Sequence, residues 1–220
     1  MAVSSRVKRQ IIRKIYNKLE KRFGDLGWWP ASSRFEVIIG AVLTQNTAWK
    51  NVERAIAELK RERVMSPGKI LRISGTRLSG LIRSAGYYRV KAKRLKSVCS
   101  FLEEEGGSGL SKLKRQSTRA LREKLLKVNG VGPETADSIL VYAMEKPVFV
   151  VDAYTKRIFS RHGLVAESAS YDEIQSLVHE NFPKTVKSLN QFHALLVETG
   201  KRYCKKKKAL CEECPLCRLL

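Results

Sequence analysis

Residues 125–137 combine two helical patterns with a short glycine turn, an arrangement that suits the binding of an anion. Gly130 and Gly132 flank the single apolar residue Val131, so the turn can take positive φ and expose backbone N–H groups. Such donors, beside the N-terminus of the following helix, can bind a phosphate group. The sequence therefore predicts a phosphate-binding turn made of Asn129, Gly130, Val131 and Gly132.

A single acidic residue closes an apolar segment downstream of this turn. Asp152 lies twenty residues past Gly132 and directly follows the apolar run 148–151. A carboxylate delivered by an apolar run can act as a general acid or base, so Asp152 is a candidate catalytic residue. The structural alternative is an N-cap for the helix that starts near Ala153. The two roles are compatible, and the pattern favours catalysis.

Four of the five cysteines crowd into fourteen residues near the C-terminus, as Cys204, Cys211, Cys214 and Cys217. Thiolates with this spacing, C-x6-C-x2-C-x2-C, can hold a [4Fe–4S] cluster or a tetrahedral zinc ion. Disulfides suit secreted proteins, and nothing in the sequence indicates secretion. The fifth, Cys99, lies on an apolar helix face and is typical of a small buried hydrophobe.

The charge balance indicates a polyanionic partner. The chain has 43 Lys and Arg against 21 Asp and Glu, a formal net charge of +22, which favours nucleic acid. Solvated helix faces would explain exposed lysines but not a twofold excess of one sign. No apolar run approaches the ~20 residues of a membrane span, and the N-terminus lacks a secretory h-region. We expect an intracellular protein of the cytoplasm or nucleoid, or of the nucleus or an organelle in a eukaryote.

Apolar residues recur at helical spacing almost throughout the chain. The predicted helices cover 6–22, 34–44, 48–63, 77–84, 90–104, 117–127, 133–144, 153–161, 171–181 and 187–201. Only 147–151 has a β-like composition, and it is too short to build a sheet. The sequence therefore predicts an all-α fold.

The hairpin, the aspartate and the cysteines after a final helix together resemble the endonuclease III superfamily of helix-hairpin-helix DNA glycosylases, over nearly the whole chain. The resemblance implies a two-lobed all-α fold, with a six-helix barrel lobe at 27–141 and a discontinuous second lobe at 1–26 plus 142–220. It also implies a monomer that binds double-stranded DNA containing a damaged base, with a [4Fe–4S] cluster as cofactor. The last cysteine gap is narrower than is usual in the family, so zinc stays an alternative.

Two features are similar to the 3-methyladenine DNA glycosylase branch. Bifunctional members have a lysine just after the hairpin as an amine nucleophile; Glu134 occupies that position, and a carboxylate cannot form a Schiff base. The segment Trp28-Trp29-Pro30 and Trp49, just after a Q-N-T sequence, match the branch's base pocket. Tryptophan faces bind cationic bases through the ring quadrupole.

The resemblance also assigns Gln45 and Tyr87 as wedges that fill the duplex when the damaged base is flipped out. With Asp152 and Glu134 as catalytic residues, we expect a monofunctional DNA glycosylase that hydrolyses alkylated purines, 3-methyladenine first among them. Three alternatives stay open: a glycosylase/AP lyase for oxidised pyrimidines, a mismatch glycosylase, and a non-enzymatic DNA-binding module. A lyase would need an amine such as Lys127 or Lys156, both outside the motif.

Overall fold

A computed structural model describes residues 5–27, 31–107 and 110–219 of the chain. Regular secondary structure in these ranges is entirely helical, without a strand, which confirms the all-α prediction. No helix in the same ranges is long and apolar enough to cross a lipid bilayer. The chain divides into two compact units, residues 29–146 and residues 1–28 with 147–220. The six-helix barrel and the lobe boundaries drawn at 27 and 142 stay predictions.

The unit 29–146 is built around one helix that is buried almost from end to end. In α2 (Arg34–Leu43), every residue from Phe35 to Leu43 is buried, and Glu36 is the one charged residue of this otherwise largely apolar span. The longest helix of this unit, α6 (Tyr88–Gly106), packs against α2, α4 and α5. The helices of this unit are α2 (Arg34–Leu43), α3 (Trp49–Arg61), α4 (Pro67–Arg72), α5 (Gly75–Leu81), α6 (Tyr88–Gly106), α7 (Ser111–Arg115), α8 (Thr118–Leu126) and α9 (Pro133–Ser138).

Helical periodicity did not predict every element of this unit. The helices α4 and α7 span fewer than two turns, too short for a recurring apolar stripe. A 3₁₀ turn at Arg83–Ala85 follows α5. The predicted helix 133–144 changes at Ile139 into a π-helical turn, Ile139–Ala143, whose side chains are mostly buried. Such turns commonly occur at functional sites.

The second unit contains α1 (Ser5–Phe23), α10 (Ala153–Arg161), α11 (Tyr171–Asn181) and α12 (Val186–Arg202). The helix α1 buries a stripe at three- and four-residue spacing, Ile12, Ile15 and Leu19. Phe192 of α12 lies at the centre of an aromatic group with ring centroids 4.7–6.3 Å away, a spacing typical of favourable ring pairs.

The β-like segment 147–151 is not a strand; its residues 148–151 are buried, and its backbone pairs with side chains. The Phe149 N–H donates to His179 Nε2 at 2.9 Å, and the Phe149 carbonyl accepts from Gln175 Nε2 at 2.7 Å. The Val151 N–H donates to the Tyr171 hydroxyl at 3.3 Å. Helix α11 therefore satisfies the buried backbone groups that a neighbouring strand would otherwise satisfy.

Candidate functional site

The predicted glycine turn joins two helices, α8 and α9. The Val128 N–H donates to the Leu125 carbonyl and the Val131 N–H donates to the Val128 carbonyl, each at 3.0 Å, which closes the turn. Val131 is buried, whereas Asn129 and Gly132 are exposed. Val131 therefore anchors the turn through its buried side chain, and its N–H is already donated within the turn.

The two glycines of the turn have different conformations. Gly130 has φ +81°, and a Cβ built there would lie 2.2 Å from Cγ of Arg94, whose side chain covers the glycine. Gly132 caps α9 with φ −92° and has open space around its Cβ position. Both glycines could have adopted a positive φ, but only Gly130 does so.

Gln45, the predicted wedge, contacts the hairpin. Its Nε2 donates to the Gly130 carbonyl at 3.0 Å and to Thr135 Oγ1 at 2.9 Å. Arg94 donates to the Gln45 side-chain oxygen. The amide of Gln45 is therefore hydrogen-bonded to the turn, to α9 and to α6. Arg94 was not identified from the sequence, since nothing local marks a contact across such a sequence distance.

A buried ion pair joins the two helices of the hairpin. Arg122 of α8 donates to both carboxylate oxygens of Asp137 in α9, at 2.8 and 3.1 Å. Asp137 is fully buried, and the bidentate geometry is the strong form of this pair. Glu134, one turn earlier in α9, is exposed, and its carbonyl accepts from Ser138 Oγ at 2.7 Å. The acidic side chain at the motif position thus faces solvent.

The aromatic residues predicted for the base pocket are described only in part. Trp28, Trp29 and Pro30 lie outside the described residues. Trp49 is the first residue of α3, is half-buried, and donates from Nε1 to Glu53 Oε1 at 2.9 Å. The base pocket as a whole stays a prediction.

Asp152 is the N-cap of α10, which is the structural role that the sequence predicted beside catalysis. Its Oδ1 accepts from the Thr155 N–H at 2.7 Å. Its Oδ2 lies 3.7 Å from Nε2 of His193, and both side chains are largely buried. Burial raises the pKa of Asp152, but the facing His193 and the Thr155 N–H outweigh it and hold the pKa below its ordinary value. The carboxylate therefore stays ionised in a dry setting, where its charge acts strongly.

His193 is a residue that the sequence analysis missed. It lies in α12, 5% exposed, with its ring edge-on to Phe149 at a centroid distance of 6.3 Å. A histidine on an otherwise apolar helix face was the available signal, but that pattern alone does not identify its acidic neighbour.

The four C-terminal cysteines line one cavity of about 160 Å³, together with apolar side chains such as Ile158 and Leu216. Tight turns bring the last three together: the Cys214 N–H donates to the Cys211 carbonyl, and the Cys217 N–H donates to the Cys214 carbonyl. Within the described residues, no three His, Cys, Asp or Glu side chains are placed to hold a single metal ion. Cys99 is fully buried elsewhere, and burial raises the pKa of its thiol to about 12.

Helix α10 connects the aspartate to the cysteine loop. At its C-terminal half, Arg157 donates to the Cys204 carbonyl at 2.7 Å. Arg161 donates to Cys204 Sγ at 3.2 Å and to the Lys205 carbonyl at 3.0 Å. The same helix begins at the Asp152 cap, so its position depends on both the cap and the loop.

Comparison with known proteins gives consistent matches. Residues 39–184 match the family described as "HhH-GPD superfamily base excision DNA repair protein". A Methanocaldococcus jannaschii protein, inferred to be a DNA repair glycosylase, is 51% identical over 94% of each chain. Endonuclease III of Thermotoga maritima is 33% identical over 82% of this chain and 79% of its own. Among solved structures, H. pylori 3-methyladenine DNA glycosylase bound to 1,N6-ethenoadenine has a TM-score of 0.74 at 31% identity, covering 89% of this chain and 97% of the other.

Proposed function

The chain belongs to the HhH-GPD superfamily of base excision DNA repair proteins, and we propose that it is a monofunctional glycosylase for alkylated purines in double-stranded DNA. Membership of the superfamily makes it a DNA glycosylase of base excision repair. The observation that carries the finer proposal is Glu134, an exposed carboxylate at the hairpin position where bifunctional members have a lysine. The likeness to the H. pylori 3-methyladenine enzyme supports it.

The absence of an amine at this position favours water as the nucleophile. A lysine would attack the sugar and form a Schiff base, which leads to strand cleavage. Of the lysines near the motif, Lys156 donates to the Ala169 carbonyl at 2.7 Å, and Lys127 ends α8 at an exposed position. A negative charge at Glu134 also favours a cationic alkylated base over a neutral one.

Asp152 supplies the chemistry of the proposed reaction. Loss of a base from deoxyribose builds positive charge on the sugar, and a buried carboxylate stabilises that charge. Its lowered pKa keeps it ionised at neutral pH. An alkylated base is already a good leaving group, so one carboxylate that also activates water is sufficient. Trp28, Trp29, Pro30 and Trp49 are proposed to stack on the flipped base.

The C-terminal cysteines fit a [4Fe–4S] cluster. Four thiols around one cavity form the donor set that such a cluster needs. A tetrahedral zinc ion, which also takes four thiolates, stays the alternative. When bound, the cluster would cross-link the loop 204–217 covalently, and the reaction uses no group from it. The protein is proposed to act as a monomer in the compartment that holds the DNA.

The substrate and the reaction type are tested together with duplexes that each carry one lesion. We expect release of free 3-methyladenine, an abasic strand that stays intact until alkali is added, and no covalent trapping by borohydride. Excision of an oxidised pyrimidine or a mismatched base would replace the substrate proposal. Efficient trapping at neutral pH would falsify the monofunctional proposal, and the variants Lys127→Ala and Lys156→Ala would then identify the amine.

The two hairpin glycines provide a matched pair for the phosphate-binding proposal. Gly130→Ala is expected to lower the free energy of unfolding by about 1–3 kcal/mol, because it adds a Cβ at positive φ against Arg94. Gly132→Ala has an allowed φ and open space, so stability should not change. It should still weaken binding to undamaged duplex about tenfold, because the methyl group blocks a charge-assisted phosphate contact. Thermal unfolding and fluorescence anisotropy measure the two effects, and unchanged binding by Gly132→Ala would remove the hairpin from the DNA contact.

A further inference from the structure

A fully buried lysine of α6 has no place in the proposed chemistry. Lys91 is 1% exposed, and its ammonium donates three hydrogen bonds: to the Leu43 carbonyl at 2.8 Å, to Thr47 Oγ1 at 2.6 Å and to the Ala85 carbonyl at 2.7 Å. All three donors of the ammonium are therefore used. Burial, with a smaller contribution from Arg94, lowers the pKa of Lys91 to about 8.

The three acceptors belong to two separate turns. Leu43 and Thr47 flank the turn that bears Gln45, and Ala85 lies two residues before Tyr87. Thr47 Oγ1 also donates to the Ala85 carbonyl at 2.5 Å, so the turns touch each other directly. One buried charge thus joins the turns that carry both proposed wedge residues.

Both turns are held in an uncommon backbone conformation. Asn46 has φ 52° and Tyr87 has φ 45°, both in the left-handed region that non-glycine residues rarely adopt. Tyr87 is also 73% exposed, which is unusual for a large aromatic side chain. Strained residues of this kind persist where the surrounding structure fixes them, and they cluster at functional sites.

We propose that Lys91 is a positioning residue that holds the Gln45 turn and the Tyr87 turn as one rigid unit, so that both side chains enter the duplex together. This inference rests on the proposed function, because it uses the assignment of Gln45 and Tyr87 as wedges. Without the ammonium, the Leu43 and Ala85 carbonyls would lose this donor, and a buried acceptor that loses its donor is costly. The arrangement of both turns therefore depends on Lys91.

The same helix offers a matched control. Lys96 of α6 donates to the Leu71 carbonyl at 2.9 Å and to the Ile73 carbonyl at 2.7 Å. It therefore joins α6 to the end of α4 by the same kind of contact, but away from either wedge. Lys96→Met therefore removes a comparable set of hydrogen bonds without changing the link between the Gln45 turn and the Tyr87 turn.

The test uses a duplex with a tetrahydrofuran abasic analogue and 2-aminopurine on the opposite strand, beside the gap. Wild-type protein should increase the 2-aminopurine fluorescence as the wedges unstack the duplex. Lys91→Met should slow this step about tenfold, and Thr47→Val, which removes one shared acceptor, should give a smaller loss of about threefold. Lys96→Met should behave as wild type. If Lys91→Met does not fold, Thr47→Val alone decides the outcome.

The analogue needs no particular lesion, so this assay remains valid even if the lesion panel shows a different substrate. Equal fluorescence kinetics for wild type, Lys91→Met and Thr47→Val would overturn the proposal. An equal loss in Lys96→Met would do the same, because it would reduce the effect to general destabilisation. Once a lesion that the protein excises is known, Lys91→Met should lose activity when that lesion is base-paired in a duplex. It should keep most of its activity when the lesion lies in a bulge, where flipping the base costs little.

Discussion

Asp152→Asn is expected to reduce single-turnover excision by about a hundredfold to ten-thousandfold, the range for loss of a positioned acid or base. An amide carries no charge to stabilise the cationic sugar and cannot accept a proton from water. The helix cap should survive, because Asn caps a helix as well as Asp does and its oxygen can still accept from the Thr155 N–H. Lesion binding, measured by anisotropy with a non-cleavable duplex, should stay near the wild-type value.

Two further variants separate catalysis from capping. Asp152→Ser keeps a capping oxygen without a carboxylate, so it should be as inactive as Asp152→Asn and equally stable. His193→Gln removes a group that lowers the pKa of Asp152. The pKa of the carboxylate should then rise, and the acidic limb of the pH–rate profile should move to higher pH with the plateau retained. Wild-type turnover by Asp152→Asn would leave Asp152 as a cap only.

Cys214→Ser is expected to give colourless protein and to lower the free energy of unfolding by more than about 4 kcal/mol, as is typical when a structural metal centre is lost. Wild-type protein purified without oxygen should be brown and contain about four irons per chain. The loop is bonded to α10 through Arg157 and Arg161, so its loss should destabilise the whole unit. Iron analysis and chemical denaturation measure the two effects.

The matched control for this variant is Cys99→Ala. Cys99 is buried outside the cysteine loop, so this change should remove only packing, about 1 kcal/mol, and leave the iron content unchanged. One zinc per chain with no iron would replace the cluster by a zinc site. Full iron content in Cys214→Ser would instead show that this cysteine is not a ligand.

Local patterns predicted what depends on neighbours in sequence. The ten helical segments were predicted from apolar residues that recur at helical spacing. The Asp152 cap was predicted from the position of Asp152 directly before α10. The contacts that organise the site join residues far apart in sequence. The contacts of Arg94 with Gly130, of Lys91 with the Leu43 carbonyl and of His193 with Asp152 depend on how the helices pack. No periodicity or spacing rule contains that information, because each pair is brought together only by the tertiary fold.

The segments that make up the second unit have a consequence for biosynthesis. Residues 1–28 leave the ribosome before residues 29–146, yet their partners in the unit are residues 147–220, which are made after both. Lys14 of α1, for example, donates to the carbonyl of Leu219 at 2.7 Å. The intervening residues 29–146 form a compact unit of their own and can fold while synthesis continues. A nascent chain would thus carry the hairpin before the surroundings of Asp152 are assembled, so, on the roles proposed for them, DNA binding would become possible before hydrolysis.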